Sequence, residues 1–62
     1  MKTLYFLRKK INMTQKELAH KLGVTQGAVS QWEKGIANPK VDKLPLLARI
    51  LGCSIDDLYK AA

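Results

Sequence analysis

Cysteine is nearly missing from this 62-residue chain: Cys53 is alone, so no disulfide within the chain can staple the fold. A lone thiol fits a reducing compartment, where a small domain relies on packing, and a half-activated role is less expected for it than that of a small buried apolar residue. Histidine is equally scarce. His20 has no second His, Cys or carboxylate at ligand spacing, so no metal site is expected. Long apolar runs are absent. The run Leu4-Tyr5-Phe6-Leu7 is far short of the roughly 7 to 15 residues of a signal-peptide core and the roughly 18 of a membrane span. A cytoplasmic protein is the resulting expectation. Acidic residues are few, five Asp and Glu against eleven Lys and Arg, leaving a net charge of +6.

The 47% apolar content is ordinary for a folded chain and too high for a disordered polycation. A chain of this length buries only about 60% of its unfolded surface. One domain over residues 1–62 is expected, with no separate catalytic or sensing unit. The basic excess is also uneven: residues 1–40 carry eight basic and two acidic side chains, residues 41–62 three of each. That asymmetry predicts one positive face, the footprint of an anionic partner.

Gly23, Gly35, Pro39 and Gly52 divide the chain into segments with apolar residues at helical spacing, and no period-two alternation is sustained. Leu4, Leu7 and Ile11 predict a first amphipathic helix over about Thr3 to Lys10. The second helix has Thr14 as N-cap, Glu17 to complete a capping box, and Met13 and Leu18 as a hydrophobic staple. It should stop at Gly23. Thr25 caps a third helix, stapled by Val24 and Val29 and ending at Gly35. A fourth begins near Asp42 as cap, tolerates Pro45 in its first turn, and turns Leu44, Leu47, Ala48 and Leu51 inward before Gly52. Ser54 and Asp57 cap a short fifth helix with Ile55 and Leu58 inside. Residues from Tyr59 onward should fray.

Two capped helices joined by a Gly-containing turn of about three residues form the pattern of a helix-turn-helix. Ala19 is small where the helices cross, and Leu18, Leu22, Val29 and Trp32 supply a shared core. Chemistry is otherwise sparse. Ser30 and Ser54 have no partner base, and no Gly-rich phosphate loop is present, so a binding module rather than an enzyme is expected, with no catalytic residues and no cofactor.

The segments Met13-Thr14-Gln15-Lys16-Glu17-Leu18-Ala19, Leu22-Gly23-Val24-Thr25-Gln26, Val29-Ser30-Gln31-Trp32-Glu33-Lys34-Gly35 and Leu47-Ala48 with Leu51 resemble the Cro and phage-repressor type of helix-turn-helix domain. The resemblance covers essentially the whole chain. It implies an all-α, compact five-helix bundle of lambda-repressor-like fold. It also implies base reading by Gln26, where a Gln amide can bond adenine N6 and N7, with Gly27, Ser30 and Gln31 on the same outward face. Gly27 departs from relatives, which often place a longer polar side chain there. Gln15 at the second helix start, with Lys34, Asn38 and Lys40, would meet phosphates. Arg8 and Glu33 would form an ion pair tying the first helix to the third.

The resemblance thus implies a sequence-specific regulator of transcription that binds double-stranded DNA. A small phage- or plasmid-type repressor is expected, binding a pseudo-palindromic operator as a homodimer, without a small-molecule ligand. Leu46 and Ile50 have no assigned core partner and fit either a dimer contact or the core. The alternative is an antitoxin or adaptor that uses the same fold to hold a protein. A membrane-surface peptide is disfavoured, because the basic residues are spread over several capped helices.

Overall fold

Every helix of eight or more residues in this chain after the first ends at a glycine in the left-handed region: Gly23, Gly35 and Gly52, with φ of 72°, 79° and 70°. The computed structural model describes residues 1–60, which contain four α-helices and no strand. They are α1 (Lys2–Lys10), α2 (Gln15–Leu22), α3 (Gln26–Lys34) and α4 (Leu44–Leu51). Two 3-10 turns, Val41–Lys43 and Asp56–Tyr59, flank α4 in sequence.

The second helix starts as its residues dictate. Thr14 Oγ1 accepts from Glu17 N–H at 3.0 Å, and Glu17 Oε1 accepts from Thr14 N–H at 2.9 Å, so two groups left over by the helix geometry satisfy each other. At its other end Gly23 takes positive φ and Val24 N–H donates back to Ala19 O at 3.0 Å. Thr25 then caps α3 through a 3.1 Å bond from Ala28 N–H. The turn between α2 and α3 therefore spans only Gly23, Val24 and Thr25. Its geometry is set by a stop and a start with almost nothing between them.

The core gathers Leu4 from α1, Leu18, Ala19 and Leu22 from α2, and Val29 and Trp32 from α3, closed by Leu44, Leu47, Ala48 and Leu51 of α4 and Leu58 of the last turn. Helices α2 and α3 pack on each other, α1 lies on α3 and on the final 3-10 turn, and α4 lies against α2. Burying a leucine such as Leu18 stabilises by roughly 1.5–3 kcal/mol, and truncating it to Ala would cost about 3 kcal/mol or more.

Several expectations are corrected. Ile11 is exposed, because α1 ends at Lys10 and Ile11 serves as its C-cap, off the helical stripe. Leu7 is half-buried. Asp42 does not cap α4; it lies inside the 3-10 turn, and α4 starts at Leu44 without a side-chain cap. Pro45 contributes to this: a cap at Asp42 draws on the N–H two or three residues on, and proline removes the second of these. The fifth helix is a single 3-10 turn. Its reciprocal Ser54–Asp57 bonds form at 3.1 Å each, but Leu58 alone is buried and Ile55 is exposed. Tyr59 belongs to that turn, and Thr3 Oγ1 donates to Lys60 O. Residues 61 and 62 lie outside the described residues.

A further tie joins the turn before α4 to α2. Lys43 Nζ donates to Leu22 O at 3.0 Å, placing a cation on a carbonyl that α2 leaves unpaired at its C-terminus. A lysine 21 residues away gives no local signal of this role.

Candidate nucleic-acid interface

Gln26, Gly27, Ser30 and Gln31 lie within about 140° of one another around α3, given 3.6 residues per turn. Val29 and Trp32 point the opposite way into the core. The core residues therefore set which side of α3 faces out. Gln26, Gly27 and Gln31 are exposed and Ser30 is half-buried. None of the Gln26, Ser30 and Gln31 side chains is engaged by a hydrogen bond with another described residue, which leaves amide and hydroxyl groups free for an external partner. A free glutamine amide offers a donor and an acceptor side by side, the pairing that adenine presents in the major groove.

Gly27 has ordinary helical φ, and a Cβ added there would meet only Thr25 Oγ1 at 3.9 Å. The protein itself does not require glycine at this position.

Arg8 and Glu33 are joined fork to fork. Nε donates to Glu33 Oε2 at 2.7 Å and Nη2 to Oε1 at 3.0 Å, while Nη1 donates to Met13 O at 2.8 Å. The Arg8 and Glu33 side chains are 8% and 6% exposed. Burial pushes the Glu33 carboxyl up, but hydrogen bonds from Arg8 and Gln15 and the charge of Arg8 outweigh it and hold the group below its ordinary value. The same hydrogen bond raises Arg8 further, against its burial. α1, the loop at Met13 and α3 are thereby fixed to one another through a single guanidinium.

Gln15 is drawn into this arrangement. Its Nε2 donates to Glu33 Oε1 at 3.0 Å, so the side chain bridges the start of α2 to α3. Its second amide N–H, its amide oxygen and its backbone N–H remain for an outside group. The N–H groups of Gln15 and Lys16 belong to the first turn, which leaves its donors without helical partners and suits an anion. Lys34 is exposed at the end of α3, and it borders one groove with Gln15, Ser30 and Glu33. Asn38 and Lys40 are exposed on the connection after Gly35 and do not line that groove.

The basic residues are more dispersed than a single positive face. Lys34 lies on the groove, Lys16 and Lys21 flank a hollow on α2 with Glu17 and His20, and Lys10 borders another beside Leu51 and Cys53. Cys53 is half-buried, and burial with the nearby Asp57 charge pushes its thiol up, away from reactivity. No group of three or more His, Cys, Asp or Glu among the described residues could hold a metal ion. No described helix is long and apolar enough to cross a membrane.

With two capped helices, a Gly23 turn and a locked outward face in place, the family is settled by comparison: the helix-turn-helix profile matches residues 4–58, and the chain belongs to the Cro and phage-repressor type of helix-turn-helix proteins. Three relatives bear names of transcriptional regulators or repressors. It is 36% identical over 52 residues to the HTH-type transcriptional activator BcrR of Enterococcus faecalis, covering 84% of this chain and 26% of that one. It is 40% identical over 53 residues to Repressor protein C2 of Salmonella phage P22, covering 86% and 24%. An uncharacterized HTH-type transcriptional regulator of Archaeoglobus fulgidus is 38% identical over 52 residues, covering 84% and 73%. The chain therefore spans about a quarter of two of these relatives and about three quarters of the third. Among solved structures it is similar to hydroxypropylphosphonic acid epoxidase from S. wedmorenis, with a TM-score of 0.82 and 33% identity over 90% of this chain and 30% of that one.

Proposed function

We propose that this chain is a DNA-binding regulator of transcription that places α3 in the major groove of a specific duplex. The observation that carries the reading is the outward face of α3, where Gln26, Gly27, Ser30 and Gln31 stand unpartnered on a helix locked by Arg8, Glu33 and Gln15. Gln26 reads a base, and Gly27 lets the backbone approach closely. Gln31 and Ser30 add contacts farther along. Lys34, Lys40, Asn38 and the start of α2 at Gln15 hold phosphates, supplying the salt-dependent part of the affinity.

A duplex with two-fold symmetry is met by two copies, each with α3 in one of two major-groove segments about 34 Å apart. Leu46, which is exposed, and Ile50, which packs partly on the core, contribute to the contact between copies. The relatives support a regulator, and repression in the manner of a small phage- or plasmid-type protein is the form we favour. In this reading the chain binds and does not catalyse.

The test is selection of bound duplexes from a random pool at fixed salt. A recurrent, pseudo-palindromic site with half-sites one helical turn apart is expected. Recovery of unselected sequence would exclude specific reading, and failure to retain any duplex would turn attention to a protein partner.

A further inference from the structure

The groove bordered by Gln15, Ser30 and Lys34 has a second wall that the reading above leaves unused. It encloses about 340 Å³, and α1 supplies Lys2, Tyr5 and Phe6 to it. Tyr5 is 43% and Phe6 54% exposed, and their rings meet edge to face at 5.3 Å. The Tyr5 ring is held from behind: Arg8 Cζ lies 5.4 Å from its centroid, so the guanidinium that grips Glu33 also steadies the aromatic wall.

Charge in the groove is arranged in one sense. Glu33, which also lines it, has both oxygens engaged, Oε2 by Arg8 and Oε1 by Arg8 and Gln15, so its negative charge is neutralised. Lys2 on α1 and Lys34 on α3 line it too and are exposed, and neither takes part in a salt bridge among the described residues. An occupant that fits has an apolar body and negative charges that can meet one cation from α1 and one from α3. A sugar-phosphate strand has this composition: deoxyribose carbons between successive phosphates. The groove is also continuous with the candidate interface, because Ser30 lies on the outward face of α3 and Gln15 opens α2.

We propose that the Tyr5–Phe6 groove seats one strand of the DNA backbone just outside the bases read by α3, with a deoxyribose against the rings and flanking phosphates at Lys2 and Lys34. This rests on the DNA-binding reading and extends it to α1. Lys2, Tyr5 and Phe6 become contact residues of the duplex. They add affinity and fix the docking angle without reading sequence.

The test uses the whole chain on its selected duplex, with Lys2→Gln and Phe6→Ala each compared with the parent across a salt titration and in phosphate-ethylation interference. Both side chains are exposed, and thermal melting checks that each variant folds. Lys2→Gln should reduce the slope of log affinity against log salt by about 0.9 and abolish interference at one phosphate outside the half-site. Phe6→Ala should weaken binding about fivefold to tenfold, the effect of about 50 Å² of apolar surface no longer leaving water, with salt slope and base preference unchanged. Parent-like affinity, slope and interference pattern in both variants would overturn the proposal. If Gln26→Ala still alters base preference in that case, the DNA reading stands without it; if the parent retains no duplex, both fail together.

Discussion

Arg8 of α1 and Glu33 of α3 meet through two parallel hydrogen bonds of 2.7 and 3.0 Å in a nearly dry space, and the other salt bridge among the described residues joins side chains only three apart in sequence. The pair lies behind the outward face of α3. It fixes the direction in which that face points.

Loss of one partner should cost far more than loss of both. Arg8→Ala leaves a buried carboxylate with only Gln15 to satisfy it, an expected loss of about 3 kcal/mol. A domain of this size has roughly 3–9 kcal/mol in total, so much of its stability would go. Replacing both, Arg8→Met with Glu33→Leu, should recover most of it. Urea denaturation of the single and double variants measures the difference.

Acid should unfold the protein through its carboxylates. Glu33, Glu17 and Asp57 all sit below their ordinary values in the folded chain: Glu33 as described, Glu17 through the Thr14 N–H and hydroxyl, and Asp57 chiefly through the Ser54 N–H and also Lys60. A lowered folded-state pKa means stability that is complete above the unfolded value and is lost as pH falls through the folded one. Thermal midpoints should therefore hold above about pH 5 and decline below about pH 4.5. Glu33→Gln should flatten part of that decline. An equal slope in the variant would remove Glu33 from the account.

Gly27→Ala separates folding from binding. The position has room for a methyl group and ordinary helical φ, so the substitution should stabilise α3 by about 0.5–1 kcal/mol. Affinity for the selected duplex should fall at the same time. A variant that is more stable and binds as well as the parent would show that close approach is not what this glycine serves.

Gln26→Ala should relax preference at one base pair in each half-site, with a loss of about 1–3 kcal/mol on the best site and little change on others. Competition binding against a panel of single-base variants measures it. A uniform loss across the panel would assign Gln26 to the backbone instead.

Lys43→Met should lower stability by about 1 kcal/mol by leaving Leu22 O without its cationic donor. Melting temperature reports this directly. No change would mean that water replaces the lysine at the helix end.

The parts legible in the residues alone are those written locally. Thr14 with Glu17, Thr25, and the three terminating glycines define helix boundaries within a turn, because a cap bonds to groups only two or three residues away. The apolar stripes likewise place Leu18, Leu22, Val29 and Trp32 inside, since their spacing matches the helix repeat. Where one local rule met another, the outcome differed: Asp42 is a good cap for a helix whose first turn offers both of its answering N–H groups, and Pro45 takes one of them away.

What the three-dimensional packing decided is everything that depends on contacts between distant segments. Gln15, read as a phosphate ligand, gives its amide to Glu33, and only the crossing of α2 and α3 brings the two within 3.0 Å. Lys43 finds Leu22 O, and Tyr5 and Phe6 form one wall of a groove whose other wall is α3. Periodicity says which residues leave solvent, but hydrogen bonds are short and directional, so the choice among many possible long-range partners is made only when the helices have taken their places.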